Sequence, residues 1–386
     1  MTKKKNFNTG LIVSALLFVL GIVCWILQLT QGLQLTNLNN YNTWGFYIVC
    51  FALFTGVGAG SLLFTSSAWL FEGFKEFRPY TRISSFVGAI GSVIAAGLFI
   101  MVDIGNPQRV WYILTSMNIT SPVVWDALIL GCYVVIGIIF TRQLILVHQG
   151  KKNEKSVKVI SVIAFIAGLL VTITAFIFAV QVARPGWNNA GQPLSFLMAA
   201  IVVALCMLMI VFAALRKTGY IRIEDGTLSR IGKFAAVFLG GELLFVLSEV
   251  AIGLYAGAGE EFDLIHWLVA GEGAAFFYVE LVAIVVGMIL LAKGKKGTLV
   301  LGAAVGFFAV LMVKYNMLQS QLLNPLIAYA GPPNYSGGEG TYLPSLIELG
   351  VSIGIVGLGV FLVLLGLRML NLGSDVQSET KEAVKA

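Results

Sequence analysis

Lys3 to Leu33 read KKKNFNTGLIVSALLFVLGIVCWILQLTQGL, three cations followed by an apolar run from Leu11 to about Leu33. Two readings compete for this stretch. A secretory leader has an apolar segment of roughly 7–15 residues and ends at a small-residue cleavage site. This run is too long and offers no convincing site of that kind. A helix rising about 1.5 Å per residue needs about 20 apolar residues to cross a hydrocarbon core about 30 Å thick, and the run is long enough. The stretch is therefore expected to be a first membrane-spanning helix whose lysines stay in water on one side.

The same pattern recurs along all 386 residues. With 58% hydrophobic and 11% charged residues and a mean hydropathy of +0.90, the composition excludes an ordinary soluble domain. Apolar runs place spans at 11–33, 45–72, 83–103, 123–141, 158–182, 194–215, 233–257, 267–292, 298–322 and 345–370. The expectation is an all-α polytopic membrane protein with ten transmembrane helices and both termini on the same side. Of the 25 Lys and Arg residues, all but Arg109, Arg184 and Lys314 fall in the termini or the even-numbered connections. The clusters are Lys3/Lys4/Lys5, Lys75/Arg78/Arg82, Arg142/Lys151/Lys152/Lys155/Lys158, Arg216/Lys217/Arg222/Arg230/Lys233, Lys293/Lys295/Lys296 and Arg368/Lys381/Lys385. The positive-inside rule makes that side cytoplasmic and the location the cytoplasmic (inner) membrane. The net charge of +6 is a topology signal and gives no reason to expect nucleic acid binding. No hydrophilic connection is long enough for a soluble domain, so residues 1–386 read as one integral membrane domain, and a catalytic domain would come from a partner.

Several chemistries drop out. Cys24, Cys50, Cys132 and Cys206 lie inside expected spans without CxxC spacing, which argues against an iron-sulfur cluster or a zinc site. The two histidines, His148 and His266, belong to opposite faces and cannot supply an axial pair for a transmembrane haem b. The run TGVGAG from Thr55 to Gly60 lies in mid-helix with no Lys after it. Small residues four apart, Gly56 and Gly60, instead let helices approach closely.

The informative side chains are ionisable groups in or near the hydrocarbon. Each carboxylate at a helix centre costs about 3 kcal/mol on the insertion scale, so it is paired, protonated or useful. Asp103 ends the third span, Asp126 opens the fourth, Glu242 and Glu249 lie in the seventh, Glu272 and Glu280 in the eighth, Lys314 in the ninth and Glu348 in the tenth. By helical rise, Asp103, Asp126, Glu249, Glu272 and Glu348 share the outer third of the membrane, with Glu242, Glu280 and Lys314 near the middle. Glu242 and Glu249 are seven apart and Glu272 and Glu280 eight apart, so each pair shares one helix face. The alternative is structural pairing, with Lys314 neutralising one Glu and Arg109 or Arg184 others. Glu260, Glu261 and Asp263 read as a solvated outer loop.

Trp44, Trp111, Trp125, Trp187 and Trp267, with Tyr41, Tyr47 and Tyr112, gather at the expected outer interface, as an aromatic belt does. Trp111 and Tyr112, however, follow Asp103 and Arg109 directly in DIGNPQRVWYILTSMN. An acid, a cation and flat rings close together suit a polar head that exchanges protons while its tail stays in lipid. A quinone fits that description.

Three stretches carry a resemblance: NTWGFYIVCFALFTGVGAGSLL from Asn42, DIGNPQRVWYILTSMNITSPVVWD from Asp103 to Asp126, and YLPSLIELG from Tyr342. In an aromatic, Gly-rich second helix, an outer loop of acid, Gly, Pro and Arg followed by aromatics, and a last helix opening with Tyr, Pro and Glu, the chain resembles the polysulfide reductase / NrfD-type membrane subunits of respiratory enzymes. The resemblance implies two four-helix bundles plus additional helices, here parallel repeats over 45–182 and 194–322 with flanking helices 11–33 and 345–370. It implies a quinone, menaquinone or ubiquinone, with no haem, iron-sulfur cluster or flavin held by this chain. The implied partners are an extracytoplasmic ferredoxin-like iron-sulfur subunit and a catalytic subunit: a molybdopterin enzyme, a hydrogenase or a multihaem cytochrome c. On the matching positions, Asp103 and Arg109 take the acid and Arg places of the quinone loop, while Asp126 and Glu348 fall at helix-start polar positions; the expected quinone site is Asp103, Arg109, Trp111, Tyr112, Tyr47 and Asp126. Some members carry an early-helix His near the quinone. This chain has none there, which leaves Asp103, Asp126 and Tyr47 as candidates to receive the quinol proton.

A proton path from the cytoplasm through Glu242, Glu280 and Lys314, with Glu249, Glu272 and Glu348 nearer the outer face, is a second expectation. Two other classes remain. Ten helices with intramembrane acids also describe a cation-coupled secondary transporter, although no matching pair of Gly/Pro-broken helices is evident. A passive anchor for an enzyme complex would leave the cost of the buried acids unexplained.

Overall fold

The structure of the chain is a computed structural model that describes residues 2–39, 42–324, 342–370 and 372–373. Side chains of residues 2–6 and 89–95 are outside that description. So are Tyr41, Lys381, Lys385 and most of the connection between the expected spans 298–322 and 345–370.

With no water in the bilayer core, backbone N–H and C=O groups must pair within their own segment, and helices do this. The described residues form α1 (Thr2–Gln31), α2 (Phe46–Leu70), α3 (Thr81–Ser84), α4 (Ser92–Asp103), α5 (Tyr112–Thr115), α6 (Pro122–His148), α7 (Glu154–Leu169), α8 (Val171–Ala179), α9 (Gln192–Lys217), α10 (Asp225–Tyr255), α11 (Glu260–Ala270), α12 (Ala274–Lys293), α13 (Leu299–Leu323) and α14 (Leu346–Leu370). Among them are nine helices long and apolar enough to cross a membrane, with α7 and α8 acting as one across a bend at Leu170. This makes the chain an integral membrane protein.

Besides helix ends that run several residues past the expected bounds, as at Thr2, His148 and Asp225, two spans are built differently from the expectation. The third span, 83–103, is built of α3, a π-helical stretch Ser85–Gly91 and α4, rather than one regular helix. There Gly88 lies directly against the side chain of Ser61 on α2, leaving no space for a Cβ. The eighth span was expected to start at 267. Instead α11 ends at Ala270, the chain turns through Gly271–Gly273, and α12 begins at Ala274. The Trp267 ring fills the space above Gly273, where a Cβ would lie 2.6 Å from it.

α2 is the buried axis, apolar or small all round and enclosed on nearly every side, as such a helix must be. It packs against α4, α7, α9 and α13. α6 lies on α7, and α9, α10, α12 and α13 pack in succession around a second centre. α1 pairs with α14 at the periphery, turning Ile12, Leu16, Val19 and Val23 outward. The α2–α9 seam uses the small residues singled out in the sequence. A Cβ on Gly56 would lie 3.3 Å from Ala200 Cα, and one on Gly60 would lie 2.6 Å from Ala204 Cβ.

α14 starts with a capping box, a Ser at N-cap and a Glu three residues on. The Ser345 N–H donates to Glu348 Oε2 at 2.8 Å, while the Glu348 N–H donates to Ser345 Oγ at 3.2 Å. Asn37 N donates to the same Oε2 at 3.0 Å, and the Tyr342 hydroxyl donates to Oε1. Glu348 thus ties the α14 start to both neighbouring connections.

Two expected outcomes follow from this packing. Gly60→Leu overpacks the α2–α9 seam and destabilises the fold by about 1–3 kcal/mol or more, read as a lower thermal midpoint in detergent. Ser345→Ala removes one half of the box and costs about 1 kcal/mol, with a smaller fall in the same midpoint.

Candidate functional site

Polar side chains buried among apolar helices gather in two places. The first joins α1, α2, α4 and α14 at the end of the molecule away from the basic clusters. The Tyr47 hydroxyl donates to Gln28 Oε1 at 2.6 Å, and Gln28 Nε2 donates to the Val102 carbonyl at 2.8 Å. Tyr47 is wholly buried and so is locked to the last turn of α4. Asp103, which ends that helix, lies within electrostatic reach of Tyr47 and Glu348. Its Oδ1 is buried without a hydrogen-bond partner. Next to this group Phe46 N donates to the Tyr342 hydroxyl at 2.9 Å, and Gln319 Nε2 donates to the Trp44 carbonyl at 3.0 Å. The Trp44 and Trp187 rings stack with centroids 6.0 Å apart.

The loop expected to enclose a head group does something else. Gly105, at φ +70°, turns the chain sharply after α4, a conformation glycine adopts without steric cost. Arg109 is then exposed, and Trp111 and Tyr112 are 66% and 63% exposed. The three do not close around Asp103; they stand on the surface of the connection.

Asp126 is buried in a separate contact, accepting from Thr174 Oγ1 at 2.5 Å. The second gathering lies among α9, α10, α12 and α13. Ser195 Oγ donates to Glu242 Oε1 at 2.7 Å, and Asn316 Nδ2 donates to Glu280 Oε2 at 2.6 Å. Glu249 Oε1 accepts from Asn189 Nδ2 at 3.0 Å and from Gln192 Nε2 at 3.4 Å. Lys314 is buried with its Nζ 3.5 Å from the centre of the Phe196 ring, within electrostatic reach of Glu242, Glu249 and Glu280. Neither Lys314 Nζ nor Glu242 Oε2 has a hydrogen-bond partner among the described residues. A cavity of about 480 Å³ opens beside them, its polar lining including Asn189, Gln192, Ser195, Glu249, Glu280 and Asn316. No residue of the 103–126 segment lines it.

The expected single outer cluster of five carboxylates is therefore not formed. Asp103 and Glu348 share one place, Asp126 pairs with Thr174, and Glu249 belongs with Glu242 and Glu280. Glu272 is exposed on the Gly271–Gly273 turn, outside the helix that carries Glu280, so the shared-face argument for that pair fails. Arg184 does not neutralise an acid here; it donates to the Gln321 carbonyl at 3.0 Å and lies over Trp187. A search for charged groups alone passes over the neutral members: Gln28, Asn189, Gln192, Ser195 and Asn316. Their signal was amide and hydroxyl side chains inside or next to apolar runs, which carry the same demand for partners.

The comparisons with known proteins agree with one another. A candidate membrane subunit of a dimethyl sulfoxide reductase from Halobacterium salinarum is 28% identical, over 93% of this chain and 90% of its own length. A selenate reductase subunit from Mesobacillus selenatarsenatis is 23% identical over 94% and 92%. The integral membrane subunit of a menaquinone reductase from Nitratidesulfovibrio vulgaris is 22% identical over 89% and 86%. The family model described as polysulphide reductase, NrfD, matches residues 34–325, most of the chain, and the chain belongs to that family.

Proposed function

We propose that this chain is the quinone-binding membrane subunit of a respiratory oxidoreductase complex, exchanging electrons between menaquinol or ubiquinol near the outer face and an extracytoplasmic iron-sulfur subunit. That subunit in turn serves a catalytic one, a molybdopterin enzyme, a hydrogenase or a multihaem cytochrome c. In this reading α3, the π-helical stretch and α4 together make a tenth crossing. Both termini face the cytoplasm of an inner membrane, and the basic connections between helices stay on that side. The helix neighbours are read as two four-helix bundles, repeats over 45–182 and 194–322, with α1 and α14 flanking them.

The observation that carries the proposal is Asp103 Oδ1, a buried carboxylate oxygen with no hydrogen-bond partner among the described residues, within electrostatic reach of the fixed Tyr47 phenol. Buried polar atoms are rarely left so, and a head-group hydroxyl would complete the set. A quinol supplies two electrons and two protons. Asp103 receives a proton as general base, a role that requires an open oxygen within hydrogen-bond reach. Tyr47, held by Gln28, keeps its hydroxyl in one orientation and adds an aromatic wall. The names of the relatives, reductase membrane subunits and a menaquinone reductase subunit, support the same reading. Arg109, Trp111 and Tyr112, exposed together, suit the partner's docking surface, since Arg, Trp and Tyr dominate interface energetics. The second gathering, Glu242, Glu249, Glu280 and Lys314, is assigned to proton transfer.

In the intact complex, Asp103→Asn is expected to lower quinol-dependent turnover on the order of 100-fold. The catalytic partner's activity toward an artificial dye should stay unchanged; undiminished quinol turnover would take Asp103 out of the site. Trp111→Ala should leave the membrane subunit folded but loosen the extracytoplasmic partner by about 2 kcal/mol, seen as its loss during detergent purification.

A further inference from the structure

We propose that the cavity among α9, α10, α12 and α13 is an aqueous half-channel that exchanges protons between the Glu242–Lys314 pair and the face bearing Asp103, and that a dry apolar plug closes it toward the basic face. The inference rests on the proton-transfer role assigned above and adds the side on which the protons move.

Two facts set the open side. The lining includes Asn189, which precedes α9, and Glu261 and Leu264 of α11, all at the Asp103 end of the fold. Ser195 is both a lining residue and the donor to Glu242, so one side chain separates the cavity from the buried acid. Glu242 Oε2 and Lys314 Nζ lack protein partners though both residues are buried. A polar space of this size holds water, and buried water characteristically satisfies such atoms. Transfer then balances one proton at a time. A proton entering as hydronium from the Asp103 face reaches Ser195 Oγ along the cavity water as Ser195 passes its own to Oε1 of a protonated Glu242. The same Glu242 releases its Oε2 proton through a bridging water to a neutral Lys314 Nζ, so the hydronium becomes water, Glu242 stays neutral and Lys314 gains one proton; the reverse order returns it to the same face.

The closed side is equally concrete. One turn from Glu242 toward the basic face lies Leu239, two turns from Glu280 lies Gly287, and just over two turns from Lys314 lies Gly306. These converge. A Cβ on Gly287 would lie 3.2 Å from Gly306 Cα and 3.3 Å from Leu239 Cδ2, and one on Gly306 would lie 2.9 Å from Cys206 Sγ. Leu239, Ile284 and Cys206 are fully buried and Val310 nearly so. This layer offers water neither room nor partners. A path from the cytoplasm through Glu280 and Glu242, as the sequence suggested, would have to pass it.

The test uses membrane vesicles of both orientations carrying the whole complex, with Cys24, Cys50 and Cys132 of this chain first changed to alanine and Cys206, part of the plug, kept as a position that should stay unmodified. Single cysteines are then probed with a membrane-impermeant cationic methanethiosulfonate reagent. Ser116→Cys, at an exposed position of the 103–122 connection, marks the Asp103 face without assuming its orientation. Asn316→Cys and Gln192→Cys should be modified from the Ser116 side only, and Leu239→Cys and Ile284→Cys from neither. Modification of the cavity positions from the opposite side, or of none of them, overturns the half-channel, as does modification at Leu239. Because labelling needs no turnover, it can fail while the quinone reading stands. Leu239→Ser supplies a second measurement: with no quinol present, passive proton flux through liposomes holding the complex should rise at least tenfold. Unchanged flux would overturn the plug.

Discussion

The architecture depends on how closely α2 and α9 approach. Gly56 and Gly60 on one helix face Ala200, Val203 and Ala204 on the other, with too little space between for larger side chains. Lipid tails are as apolar as leucine, so helices in a membrane gain little from hydrophobicity and associate through dispersion contacts that demand such proximity. Once α9 is held against the buried axis, its Ser195 side turns toward α10 and α13 and creates a polar centre distinct from the one around Tyr47. A bulkier residue at Gly60 would alter both centres by moving the helix that separates them.

Buried charge is managed differently in the two centres. Around Glu348 three donors, two backbone amides and the Tyr342 hydroxyl, replace the water the carboxylate has lost, and the group serves as a structural tie. Around Lys314 the replacement is incomplete, with an aromatic face and distant carboxylates but no hydrogen bond. An incompletely satisfied charge in a low-dielectric interior is costly, and such sites persist where they do work. The contrast separates a carboxylate that holds the fold from buried groups left short of partners among the described residues.

Much of this was legible in the chain. The apolar runs located the nine long helices to within several residues, because crossing length and backbone satisfaction leave few alternatives. The role of Gly56 and Gly60 followed from their spacing, and Glu242, Glu280 and Lys314 could be singled out as buried because charge inside an apolar run is conspicuous. Glu272 was misplaced because hydropathy does not register a turn of two glycines with a tryptophan folded over them. Trp111 and Tyr112 were drawn to Asp103 by proximity in sequence, yet the left-handed turn at Gly105 leads them out onto the surface. The capping box at Ser345 is readable in the chain as Ser-x-x-Glu, but nothing along the sequence marks Asn37 and Tyr342 as further donors to the same carboxylate.

The amino-acid sequence by itself determined that this is a helical membrane protein of the NrfD kind, roughly where its long helices run, and that Glu242, Glu280 and Lys314 lie inside them. These are one-dimensional properties, set by hydropathy, length and local motif. Only the tertiary structure decided that the outer carboxylates divide among separate places, that Gln28 holds Tyr47, and that a cavity is lined by Ser195 but not by Leu239. Those outcomes depend on how each helix is rotated about its axis and how near its neighbours come. Both are settled by side-chain packing between segments far apart in the chain, and no spacing along a single helix encodes them.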